Sequence, residues 1–238
     1  MADELTIKNK EVLELFKQNA KVGTEDMGET GAIPVLKLVH AQTKQELCTL
    51  ANGKRADNGK LYHPITLGQY DSVAVKVLYI KKCELPSFMD KNVKKLNYIL
   101  AGVLENEGVP FVTFIKGMGL NPFWTWQKKL NGFITNPIQP VPMLALSTII
   151  KVSERDSGKF GMQKYIHLEF NRDDNGLVVV EQNPETLKKL VAMIPKAKEL
   201  TEFVLSQSEG DEVGDEFIDQ QNGERSTFAK EVEESLND

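Results

Sequence analysis

Residues 72–85 read SVAVKVLYIKKCEL, a run in which β-branched residues recur and apolar positions alternate with others. That pattern suits a pleated surface with one face buried, and it makes this the strongest predicted strand in the chain. Other predicted strands surround it. IPVLKLVH (33–40) alternates, with Leu36 and Leu38 on one face and Val35, Lys37 and Val39 on the other. NGKRADNGK (52–60) is a turn-rich basic loop, and KLYHPITL (60–67) leads from it into the long run. KLNYILAGVLEN (95–106), a turn at Glu107–Gly108 and VPFVTFIKG (109–117) read as one hairpin. MLALSTIIKV (143–152), a turn over 153–161 and MQKYIHLEF (162–170) read as another. In the second, Ile166, Leu168 and Phe170 share one face, and Tyr165, His167 and Glu169 the other.

Between the hairpins lies FWTWQKKLNGF (123–133), which holds the only two tryptophans. As a helix it places Phe123, Trp126, Leu130 and Phe133 on one buried stripe. Trp126 is then expected to be core. Trp124 falls off the stripe with Lys128 and Lys129, free to be either a surface ring or a stacking ring. A terminal helix is predicted over 183–207 from its Asn-Pro-Glu opening, with a kink at Pro195. Strands, one inserted helix, a last hairpin and a terminal helix predict a mainly β (α+β) fold. The expected form is an OB-like Greek-key barrel, with a β-sandwich as the alternative. The predicted organisation has three parts. Residues 1–32 form an N-terminal helix (3–19, with Val12, Leu15, Phe16 and Asn19 at helical spacing) and a connector. Residues 33–207 form the folded body, and 208–238 a tail too polar to bury a core.

Charge follows the same division. The chain carries −5 overall, but residues 209–238 hold eleven acidic and two basic residues, a net −9. The remainder has 27 basic and 23 acidic residues, a net +4, so a cationic body precedes an anionic tail. No apolar run approaches the roughly 20 residues of a spanning helix. Two cysteines, Cys48 and Cys83, give no disulfide framework. A cytoplasmic setting with no membrane association is the expectation.

Signatures of catalysis are weak. His40, His63 and His167 are isolated from one another, and Cys48, His63 and Cys83 match no zinc spacing, so no metal or other cofactor is expected. KGMGLNPF lacks the GK[ST] ending of a phosphate loop, and neither GxSxG nor HExxH occurs. Asp156, Asp173 and Asp174 fall in predicted turns, where aspartate is favoured for backbone reasons. A nuclease built on Glu154, Asp173 and Asp174 therefore ranks low, and the chain is expected not to be an enzyme.

A binding surface has more support. Basic and aromatic residues interleave along the predicted strands: Lys76, Tyr79, Lys81 and Lys82, then Phe114 and Lys116. The last hairpin adds Lys151, Arg155, Lys159, Phe160, Lys164, Tyr165 and His167. Cations for phosphates and rings for bases are what single-strand binding needs, and Trp124 with Lys128 extends the candidate set. An ordinary mixed surface is the plainer reading of the same residues.

Together, the basic OB-like body and the acidic tail resemble the single-stranded DNA-binding proteins of tailed phages, in overall pattern over 33–207 and in tail character beyond. FIKGMGLNPFWTWQKKL, ahead of the final hairpin, is part of that pattern. The resemblance implies a non-catalytic protein that protects single-stranded DNA during replication or recombination. Its tail would recruit replication or recombination proteins and compete with DNA for the basic groove. This sequence ends SLND where several members end on an aromatic, so the likeness does not extend to docking through a terminal Phe. Within the tail, Phe228, Val232 and Leu236 recur at i, i+4 and i+8. They form a stripe that would anchor a short helix in a partner's groove. The alternatives are a phage structural or assembly protein with a solubilising tail, and an inhibitor of a host nucleic-acid enzyme.

Overall fold

Alternation along 72–85 is realised as the longest strand, β4 (Ser72–Ser87), around which the main sheet is built. The computed structural model describes residues 34–41, 43–87, 90–158 and 161–209. The expected N-terminal helix over 3–19 and the connector to 32 lie outside the described residues. So do Lys159, Phe160 and the tail beyond Glu209, with Phe228, Val232 and Leu236.

Ahead of β4 runs a short meander, β1 (Lys37–Leu38), β2 (Leu61–His63) and β3 (Gly68–Tyr70), paired in that order. After it come β5 (Asp90–Leu104), β6 (Pro110–Ile115), α1 (Leu120–Ile134), β7 (Ser147–Asp156) and β8 (Met162–Phe170). Two helices follow, α2 (Pro184–Ala192) and α3 (Ile194–Glu209). The second sheet is five-stranded in the order β6-β5-β4-β7-β8, with every neighbour antiparallel. The fold is therefore mixed α and β on two antiparallel sheets.

The expected closed barrel is not formed: among the described residues, no pairing joins β6 to β8. Both edges are already occupied. On β6, Leu36 N–H donates to the Val112 carbonyl (2.8 Å) and Val112 N–H to the Pro34 carbonyl (2.8 Å). On β8, the turn Gly117–Gly119 packs so close that a Cβ on Gly119 would sit 2.9 Å from the Ile166 carbonyl oxygen. The first meander has strands of only two or three residues, which is far short of a sandwich layer.

Sequence alternation also misjudged 33–40. The two faces do alternate, but residues 34–39 are all buried, because the segment lies against β6 and then pairs with β2. Lys37 is carried inside with them. Its ammonium lies 5.7 Å from the centroid of the Tyr62 ring, and burial lowers its pKa to about 8. Strand β7 starts later than 143, since Met143–Ala145 forms a 3-10 turn.

Helix α1 buries Phe123, Trp126, Leu130 and Phe133, the stripe that its spacing predicts. These rings join the two halves of the sheet. Tyr98 of β5 meets Phe123 at 4.3 Å, and Trp126 and Phe133 meet Phe170 of β8 at 5.6 and 5.2 Å between centroids. The predicted terminal helix is two helices. Asn183 caps the first by accepting from Glu185 and Thr186 N–H, and the break falls at Met193, two residues before Pro195. A proline ring removes a donor and clashes with the preceding turn, so a new helix starts there.

Candidate nucleic-acid interface

Hairpin β7–β8 gathers the most coherent part of the expected surface. Its register opposes Lys151 to His167, Ser153 to Tyr165 and Arg155 to Gln163. Directly opposed residues share a face, and every second residue along a strand returns to it. Lys151, Arg155, Tyr165 and His167 therefore lie on one face of the hairpin. The Tyr165 and His167 rings are 6.4 Å apart, both half-buried, while Arg155 is exposed. Glu169 shares this face and holds Lys151 at 2.7 Å, with His167 Nε2 at 3.9 Å. Burial pushes the His167 pKa down, helped by the Lys151 ammonium and opposed by Glu169. The imidazole is thus kept as a neutral ring, suited to stacking.

Other candidates are placed differently. Lys164 neighbours Tyr165 in sequence and so belongs to the opposite face, where it pairs with Glu154 (3.2 Å) and lies over Gly59. Lys76 is a correction: it is buried, donating to the Ala145 carbonyl (3.3 Å) and paired with Glu105 (3.4 Å). Phe114 is another, being 1% exposed in the core and closed to any base. Lys116 holds its ammonium 6.0 Å from the centroid of that same ring. Tyr79 is half-buried against the core.

Lys81 is ion-paired with Glu202 of α3, and this hydrogen bond is the largest cause of its raised pKa, whereas Lys82 is exposed. These two stand nine and ten positions beyond Ser72, the β4 residue opposite Lys151. At about 3.3 Å per residue they are roughly 30 Å along the strand from the hairpin face. The expected patch is thus divided, and its β4 end does not continue the β7–β8 end.

On α1, Trp124 is 43% exposed and Lys128 is exposed one turn further on. By helical geometry both project well away from Pro122, Trp126 and Lys129. That second row of α1 forms one wall of a groove of about 540 Å³, whose other wall is the end of β8 and the residues just after it, including His167, Glu169, Phe170 and Arg172. Arg172 is the residue sequence reading missed here. It stands two residues beyond the end of the predicted strand, where no alternation marks it, and it lines the groove beside α1.

Cys48, His63 and Cys83 do not form a common site. Cys48 donates weakly to the Lys44 carbonyl, Cys83 to Asn97 and His63 Nε2 to Pro110. Among the described residues, no group of three or more His, Cys, Asp or Glu is placed to hold a metal ion. No described helix is long and apolar enough to cross a membrane. Comparison with protein-family models, with curated proteins and with solved structures returned no match.

Proposed function

We propose that this protein binds single-stranded DNA without catalysis, through the β7–β8 face bearing Lys151, Arg155, Tyr165 and His167. The observation that carries the reading is the register of that hairpin, which puts two cations and two rings on one face. Phosphates need the first and unstacked bases the second. Strand order adds support. Three sheet strands, a helix and two more strands, arranged β6-β5-β4-β7-β8, follow the order of an OB barrel left open between β6 and β8. The charge division supports it too, with +4 on residues 1–208 and −9 beyond. On this reading the protein covers single strands in phage replication or recombination, in the host cytoplasm. The tail stripe of Phe228, Val232 and Leu236 serves protein partners in those processes.

The test is a titration of labelled oligo-dT followed by anisotropy over a range of salt. Changing Lys151 and Arg155 together to Ala removes two phosphate contacts, so the slope of log affinity against log salt falls by about 1.4. Tyr165→Ala weakens binding by about 1–3 kcal/mol if its ring stacks a base. Folded variants that bind like the parent would move the interface off this hairpin.

A further inference from the structure

Three acidic residues lie in β7 and β8, and alternation separates them. Glu154 and Asp156 fall on the face away from Tyr165, whereas Glu169 shares the face of Lys151, Arg155, Tyr165 and His167. Directly across the ladder from Glu169 is Ile149, which offers it no charge. The carboxylate reaches instead to a diagonal neighbour and takes Lys151 Nζ at 2.7 Å, although the residue opposite Lys151 is His167. Diagonal neighbours are within reach of long side chains, so the register permits this contact.

The fold has little need of the pair. Its side chains are 35% and 45% exposed, and ion pairs so open to water contribute little to stability. For an incoming anion the pair matters more. An ammonium has three donors, but a phosphate joining Glu169 on Lys151 would bring two anions together and be repelled. A phosphate therefore gains Lys151 by displacing the carboxylate. Leaving Lys151 does not strand Glu169 among apolar groups, because it also lines the α1–β8 groove, as do Lys129 and Arg172.

We infer that Glu169 sets the affinity of the single-strand face: in the free protein its carboxylate occupies Lys151 in place of a phosphate, and a bound strand displaces it. This rests on the reading of the β7–β8 face as a single-strand interface, and it adds to that face a built-in competitor that lowers affinity.

The test is an anisotropy titration of labelled oligo-dT with the full-length chain and variants that circular dichroism shows to be folded. It is run at about 0.1 M salt, where a Debye length of roughly 10 Å damps the effect of distant charges. Glu169→Gln keeps the shape, removes the charge, and is expected to tighten binding about threefold. Glu154→Gln removes the same charge from the opposite face, where it pairs with Lys164, and is expected to bind like the parent. In a chain already carrying Lys151→Ala, Glu169→Gln is expected to give no such gain, since the cation it would release is gone. The double change of Lys151 and Arg155 to Ala separates the two readings. If that variant binds weakly but Glu169→Gln gives no gain, or a gain matched by Glu154→Gln or kept without Lys151, the competitor is overturned and the face stands. If the double variant binds like the parent, the face falls, and the role of Glu169 falls with it.

Discussion

His63 is fully buried, and its neighbours fix its chemistry. A carbonyl only accepts, so Nε2 carries the proton given to Pro110 (2.9 Å), and Nδ1 is left to accept from Thr66 N–H (3.3 Å). Protonating Nδ1 would set donor against donor in a dry site. Burial accordingly lowers the pKa from 6.5 to about 4, against the opposing hydrogen bond to Pro110. The sign follows from proton binding: below pH 6.5 the unfolded chain takes up a proton that the folded one refuses. Stability from this group is complete above pH 6.5, declines as pH falls towards about 4, and is then level. The loss over that window is about 3 kcal/mol. Urea midpoints measured across the window check it: His63→Gln is expected to flatten the decline, and an equally steep decline in the variant would assign it to other groups. Residues such as this one mark the limit of sequence reading. Lys76 and Phe114 looked like surface partners because a strand pattern gives two faces without saying which is covered. Lys76 is inside because Glu105 and the Ala145 carbonyl receive it there.

Among the elements, α1 was legible to the residue, because a helical stripe bears its own statement of what is buried. The two long hairpins were legible as well, since alternation and a Gly-bearing turn are local signals. What escaped was set by contacts distant in sequence: the meander β1–β3, the burial of 34–39 on both sides, and the open gap between β6 and β8. In the same way the hairpin face was readable, but its separation from Lys81 and Lys82 depends on where β7 pairs along β4. The β4–β5 ladder shows how such a long pair is held. Its register shifts between Val77 and Tyr79, and there the Lys76 carbonyl oxygen comes within 1.9 Å of where a Cβ on Gly102 would be. Backbone cannot yield as a flexible side chain does. Gly102→Ala is expected to lower stability by about 3 kcal/mol, read from the urea midpoint. A loss below about 1 kcal/mol would mean that the bulge relaxes freely.

For the whole molecule, the governing quantity is the separation of charge between body and tail. Removing 209–238 changes the net charge from −5 to +4, and on the proposed single-strand reading it takes away a competitor for phosphate-binding cations. Affinity for oligo-dT is expected to rise, most at low salt, where the Debye length is greatest. Anisotropy titrations of both forms across a salt series check this, and equal or weaker binding by the shortened chain would remove electrostatic competition from the account. At closer range, single strands are proposed to run over the β7–β8 face. Ultraviolet cross-linking of the full-length protein to oligo-dT, with mass spectrometry of the adducts, tests it most directly. Adducts are predicted within 162–170, at Tyr165 and His167. Cross-links confined to the far end of β4 around Tyr79, or to Trp124, would contradict it.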